Sequence, residues 1–133
     1  MNLSAALQPE GWPRPSGYSN GVLAQGRQVF IAGQIGWNPL NARFESAGIG
    51  DQVAQALRNV LAVLTEANGR PEHIVRMTWY LTSRAEYLAH LGEIGAAYRE
   101  VMGKHFPAMT AVEVSGLIEP QAKVEIEATA VIP

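Results

Sequence analysis

A chain of 133 residues, 47% of them apolar, fits a single domain, 1–133, that can bury one hydrophobic core. Its net charge of −2 and its ten scattered Lys and Arg residues argue against a nucleic-acid-binding surface. Cysteine is absent, which excludes disulfides and thiolate chemistry, and no signal segment or long apolar run is present, so we expect a cytoplasmic protein that does not bind membranes.

The first part of the chain predicts short strands and a long loop. Closely spaced prolines predict an irregular lead-in over residues 1–20. Apolar runs at 22–24 and 28–32, separated by a glycine-containing turn, are typical of a β-hairpin. Gly33 ends the second run, and residues 36–50, with a proline and two asparagines, predict a long loop.

The middle of the chain changes to a helical period. Apolar residues recur at helical spacing between Val53 and Leu64, and Asp51 can cap the first turn. Ser83 and Glu86 have the form of a capping box that begins a second helix, which Gly103 ends.

A central strand is predicted between the two helices. Residues 74–82 alternate in polarity, as expected for a strand with two unlike faces. The alternation assigns one face to Val75, Met77, Trp79 and Leu81, and the other to Arg76, Thr78, Tyr80 and Thr82.

Two further alternating runs, 111–114 and 123–128, flank a connection long enough to reverse the chain. We therefore predict an antiparallel pair of strands. The pair would turn inward Val112, Val114, Val124 and Ile126, and would share on its other face Glu113, Glu125 and Glu127. The order β-β-α-β-α-β-β predicts an α+β two-layer sandwich, a mixed sheet with two helices on one face.

Several motifs in chain order resemble the Rid family (RidA/YjgF, reactive-intermediate deaminases). They are SGYSNG at 16–21, FIAGQI at 30–35, Asn59-Val60, Tyr98, and the C-terminal strings PA-x-x-x-VEV and KVEIEA. The resemblance covers nearly the whole chain. It implies a homotrimer resembling the chorismate mutase fold, with a ligand cleft at each subunit boundary, and a sixth short strand, which we expect within the long loop.

The resemblance also implies catalytic roles for two residues. Glu125 matches the glutamate that helps to position or activate the hydrolytic water in deaminating members, and Tyr18 matches a tyrosine of the family's pocket. Glu125 and Glu127 lie about 7 Å apart along one strand, which suits two carboxylates that act independently better than two that share a proton. Spacing alone favours glutamates that are solvated or paired within a trimer interface. Tyr18 by itself is better explained as a packed aromatic residue.

Position 109 departs from the family pattern. In deaminating members an arginine follows Pro-Ala, where it can hold a substrate carboxylate through two parallel hydrogen bonds. Here Met109 takes its place, and a thioether has no donor. Thr110 still offers a hydroxyl, whereas Ala32 and Ala111 stand where deaminating members often have serine and cysteine. We predict that Met109 and Thr110 line a more apolar substrate pocket.

Gly33 and Trp37 complete the predicted substrate-binding residues. The amide of Gly33 can serve as a donor to a ligand, with a simple bend as the alternative. Trp37 favours an aromatic or extended ligand, with a hydrophobic plug as the alternative. Arg14 and Arg76 are either replacements for the missing arginine or ordinary surface residues.

The function that follows from these residues is binding of a small metabolite between subunits, with hydrolysis or tautomerisation of an imine or enamine that is not a simple 2-imino acid. The alternative is a trimeric binding protein without catalysis; a ribonuclease or translation inhibitor would need a basic surface that the composition does not supply. His73, His90 and His105 lack metal-ligand spacing, so we expect neither metal nor cofactor.

Overall fold

The computed structural model describes residues 4–133. Its elements, in chain order, are β1 (Ser4–Leu7), β2 (Gly21–Ala24), β3 (Arg27–Ile35), α1 (Ile49–Thr65), a short 3-10 helix (Pro71–His73), β4 (Ile74–Leu81), α2 (Arg84–Ala89), α3 (Leu91–Met102), β5 (Ala108–Glu113) and β6 (Val124–Ile132). No helix within this range is long and apolar enough to cross a bilayer.

The four-stranded sheet has the order β3-β6-β4-β5, and β1 pairs with β2 in a separate two-stranded sheet. β6 runs antiparallel to both neighbours, whereas β4 and β5 are parallel, so the larger sheet is mixed. α1 packs against β3, β6 and α3. The predicted α+β architecture is therefore confirmed.

The core lies between the helices and one face of the larger sheet. Helical spacing in α1 and strand alternation in β4 and β6 both aim their apolar side chains into this layer. Its fully buried members include Val53, Leu57, Val60, Leu64, Met77, Val124 and Ile126.

The predicted hairpin between the first two apolar runs is wrong. β2 pairs with β1 and β3 pairs with β6, so the two runs belong to different sheets. Gly26, between them, packs so closely on the last strand that a Cβ would lie 2.3 Å from the carbonyl oxygen of Ile132. That close approach turns the chain out of one sheet and into the other.

The sixth strand is present, but not in the long loop. It is β1, within the predicted irregular lead-in, and the loop contains only an isolated bridge between Asn38 and Arg43. The prolines begin at Pro9, after β1 has ended, and therefore do not remove any donor from it.

β5 and β6 do not form the predicted pair, because β4 lies between them. The phase of β5 is also inverted. Met109 lies beside Met77 and packs on the core, whereas Val112, beside Tyr80, is 40% exposed and Glu113 lies beside Leu81. The sequence alternation does not reveal which face of an edge strand is covered.

Two smaller differences occur at element ends. A bulge in β4 between Ile74 and Arg76 buries Ile74 fully and leaves Val75 only half-buried. The second helix is divided at His90 into α2 and α3.

The predicted caps are confirmed in part. Ser83 Oγ accepts a hydrogen bond from the Glu86 amide at 3.0 Å, while the Glu86 carboxylate pairs with Lys123 at 2.6 Å instead of returning to the Ser83 backbone. α1 begins at Ile49 with Gly48 as N-cap, so Asp51 lies in the first turn and is not the cap.

The contact between Gly36 and α1 provides a stability prediction. A Cβ at position 36 would lie 2.5 Å from the Gln52 carbonyl oxygen and 2.6 Å from its Cα. Backbone cannot yield as a side chain can, so Gly36→Ala is expected to lower the free energy of unfolding by about 3 kcal/mol and Tm by roughly 10 °C. Thermal and urea unfolding monitored by circular dichroism measure both quantities.

Gly92→Ala is the matched control, because nothing lies within 4 Å of a Cβ at this position in α3. Removing a helical glycine is expected to raise the free energy of unfolding by up to about 1 kcal/mol. Equal destabilisation by the two substitutions would show that the contact between Gly36 and α1 is not tight.

Candidate functional site

Glu125 lies against the backbone of β3, where the strand bulges. The pairing of β3 with β6 shifts register between Ile31 and Gln34, and Gly33 lies inside that irregularity. A Cβ on Gly33 would lie 2.3 Å from Oε2 of Glu125 and 2.8 Å from its Cδ. Only glycine leaves room for the carboxylate here, so the structure brings these two predicted residues together.

The three glutamates of the C-terminal strands have different partners. Glu113 accepts a hydrogen bond from the Arg84 amide at 2.8 Å, and Glu127 accepts one from the Tyr80 hydroxyl at 2.6 Å. Glu125, which is half-buried, makes no hydrogen bond or ion pair within residues 4–133. Its carboxylate is therefore the one that remains available to a ligand.

The bond between Tyr80 and Glu127 stabilises the neutral phenol. Donation to the Glu127 carboxylate, followed by desolvation, raises the pKa of Tyr80 above its ordinary value of 10.0. Glu127 is thus engaged in a structural contact on the sheet face that the helices do not cover.

Asn59 positions the end of β3, a role that the sequence analysis missed. Its Nδ2 donates to the carbonyls of Ile35 and Trp37, each at 3.0 Å, and Gln55 donates to its Oδ1 at 2.8 Å. Trp37 lies half-buried with its ring 6.0 Å from that of Phe44. The sequence did contain a signal for this role. Asn59 is a polar residue within the apolar face of a predicted helix, and a buried amide requires hydrogen-bond partners.

Tyr18 is held beside the start of β5. The Ser19 amide donates to the Pro107 carbonyl at 3.0 Å, and Ser19 Oγ donates to the Phe106 carbonyl at 2.6 Å. Tyr18 itself is 39% exposed. These bonds place the Tyr18 segment beside the residues that immediately precede Met109, although the two are far apart in sequence.

Met109 and Thr110 point to opposite faces of β5. Met109 is half-buried against the core, beside Met77, whereas Thr110 is exposed beside Thr78. An arginine at position 109 would therefore have its stem on apolar side chains and its charged end at the margin of the core.

Within one chain the predicted site residues form two separate groups. Tyr18, Met109 and Thr110 lie at β5, whereas Gly33, Trp37 and Glu125 lie near β3 and β6. Met109 pairs with Met77 and Glu125 with Tyr80, on opposite faces of the sheet. Two strand spacings across and three residues along give a separation of roughly 14 Å. A single cleft around all six residues stays a prediction that requires a second chain.

A roomier cavity, of about 650 Å³, lies elsewhere, at the Lys123–Glu86 ion pair. None of the predicted site residues lines it. Gln52 donates there to two backbone carbonyls and accepts from the Lys123 amide, whereas Glu119 has no side-chain partner among the described residues. We place the candidate site at Glu125, because its free, half-buried carboxylate lies on a paired strand against the β3 backbone, whereas Glu119 lies in the connection between β5 and β6.

The two candidate cations lie in different places. Arg14 lines a cavity of about 240 Å³ together with Tyr18, and Arg76 lines one of about 220 Å³ with Glu127 on the uncovered sheet face. Within residues 4–133, no group of three or more His, Asp or Glu side chains could hold a metal ion.

Comparisons with known proteins agree over almost the whole chain. A family model described as Endoribonuclease L-PSP matches residues 13–132. A RutC family protein of Pyrococcus horikoshii is 35% identical over 128 residues, covering 96% of this chain and 98% of that protein. The human 2-iminobutanoate/2-iminopropanoate deaminase is 30% identical over 114 residues, covering 86% and 79%.

A solved structure gives the same result for the fold. A protein of the conserved Rid family from Yersinia pestis, YyfB, has a TM-score of 0.82 and 33% identity to this chain. The match covers 98% of this chain and 100% of that protein, so the two share the fold along their whole length.

Proposed function

This chain belongs to the Rid (YjgF/RidA) family, and from that premise we propose that it binds a small metabolite bearing an imine or enamine group and hydrolyses or tautomerises it. The reaction takes place in clefts between the subunits of a homotrimer. The substrate is not a simple 2-imino acid, because Met109 cannot bind its carboxylate.

The observation that carries this proposal is the free carboxylate of Glu125. Of the three glutamates on the C-terminal strands it alone lacks a partner among the described residues, and it lies against Gly33 on a strand that is paired on both sides. A general base has to be positioned and uncommitted, and Glu125 satisfies both conditions.

In the hydrolysis, Glu125 accepts a proton from water as the water oxygen bonds to the imine carbon. The carboxylic acid then returns the proton to nitrogen, which gives a carbinolamine. The proton of the new hydroxyl next passes through Glu125 to nitrogen, the carbon–nitrogen bond breaks, and a carbonyl compound and an amine or ammonia leave. An amide donor, for which Gly33 is the nearest candidate, stabilises developing negative charge. In a tautomerisation the same carboxylate exchanges a proton between nitrogen and carbon.

A trimer supplies the second half of each cleft. Within one chain Met109 and Glu125 lie roughly 14 Å apart on opposite faces of the sheet. The uncovered face carries Phe30, which is 74% exposed, together with Tyr80. Light scattering at micromolar concentration is expected to give three times the 14.4 kDa chain mass. A mass equal to one chain would remove the cleft from the proposal.

The deciding experiment is turnover. The purified protein is incubated with a panel of imines and enamines that carry no carboxylate on the reacting carbon, and their loss is followed against a protein-free control. Faster loss, with saturation in substrate, is expected. Saturable binding without any acceleration across the panel would favour a binding protein, which the apolar residue at position 109 also accommodates.

A further inference from the structure

Side-chain hydrogen bonds and flanking prolines restrict the segment that contains Arg14. Gln8 Nε2 donates to the carbonyls of Trp12 at 3.0 Å and Pro13 at 3.2 Å, and Asn20 donates to Gln8 Oε1 at 2.9 Å. These bonds tie the residues before Arg14 to the β1–β2 sheet. A proline on each side of Arg14 restricts the backbone further, so less entropy is lost when the side chain binds.

The cavity beside Arg14 has one uncompensated positive charge. Its walls are Tyr18, Asn20 and Gln8 on the polar side, and Leu7, Pro15 and Phe106 among the apolar residues; no acidic side chain lines it. Arg14 forms no hydrogen bond or ion pair with any residue that the structure describes. Its five donors are therefore open to an anion.

The volume of the cavity beside Arg14 limits the size of the ligand that it can hold. About 240 Å³ is less than the roughly 300 Å³ at which pockets for whole ligands begin, so this cavity accommodates one end of a ligand. Because Ser19 ties the Tyr18 segment to Phe106 and Pro107, that end lies next to the strand that lacks the family's arginine.

We propose that Arg14, assisted by the Tyr18 hydroxyl, binds a carboxylate at one end of the substrate and so replaces the arginine missing at position 109. This inference rests on the proposed function and narrows its substrate class. Phe106 lies three residues before Met109, so the subsite is displaced by roughly 10 Å. A 2-imino acid, with its carboxylate on the reacting carbon, is too short; a longer imino or enamino acid fits.

Binding of two matched probes tests the subsite without requiring turnover. Hexanoate and hexanamide have the same chain and differ in charge, and their affinities are measured by NMR titration of the wild-type protein. Hexanoate is expected to bind up to about fivefold more tightly, the effect of a charge-assisted contact with an exposed arginine.

Three variants locate the cation. Arg14→Gln is expected to abolish the preference for hexanoate, and Arg14→Lys to retain part of it, because lysine keeps the charge but not the fork. Arg76→Gln, which removes the rival arginine, is expected to leave the preference unchanged. Circular dichroism and light scattering establish that each variant keeps the wild-type fold and mass.

The inference is overturned if the wild type shows no preference, if Arg14→Gln retains it, or if Arg76→Gln abolishes it instead. Its failure is distinguishable from failure of the proposed function. Arg14-dependent binding without turnover of any imine would exclude catalysis and leave the subsite, whereas turnover with no dependence on Arg14 would exclude the subsite alone.

Discussion

The Glu125→Gln variant is expected to turn over the best imine or enamine substrate at least about a hundredfold more slowly than the wild type, the lower end of what a general acid–base contributes. Glutamine has nearly the shape of glutamate, so the contact with Gly33 is preserved while the base is removed. Initial rates of substrate loss at saturating concentration measure the effect.

Glu127→Gln is the matched control. It lies two residues further along the same strand and face, and its amide oxygen can still accept from Tyr80. We expect rates within a fewfold of the wild type. If Glu125→Gln retained full activity, or if both substitutions abolished it equally, Glu125 would not be the base.

The wild-type protein is expected to have almost no activity toward 2-iminobutanoate, compared with the human deaminase to which it is 30% identical. Loss of a charge-assisted bidentate contact removes on the order of 3 kcal/mol, roughly two decades in rate or affinity. Both proteins are assayed on imine generated in situ, and imine loss is followed with and without each.

Met109→Arg is expected to recover only part of that activity. The new guanidinium can extend from the margin of the core, with its stem on the apolar surface beside Met77. The polar neighbours are not restored, because Ala32 and Ala111 remain. Wild-type activity equal to that of the human protein would show that the carboxylate is held elsewhere and that position 109 does not determine the substrate class.

Hydrophobic periodicity was sufficient to predict the buried helix and strands. The helical spacing from Val53 to Leu64 and the alternation in β4 and β6 each recorded one covered face, because the same layer of apolar side chains buries all three. The α+β class and the family resemblance follow from the sequence for this reason. The helix cap at Ser83 could also be predicted from the sequence, since a cap depends on residues within one turn of the helix.

The pairing between strands could not be predicted from the sequence. The first apolar runs join different sheets, and β5 pairs with β4 rather than β6, because hydrogen bonds between strands are made by backbone groups that every residue carries. The inverted phase of β5 has a related cause: at an edge strand, the covered face is decided by what packs there, and Met109 packs on the core.

The sequence by itself determined the residue types of the candidate site and the missing donor at position 109. Only the tertiary structure decided that Glu125 is the one without a partner among the three strand glutamates, that Asn59 holds the end of β3, and that Arg14 shares a cavity with Tyr18. The physical reason is that a side chain's availability depends on partners brought near by the fold. Local sequence specifies what a residue can donate or accept, but not whether a neighbour already satisfies it.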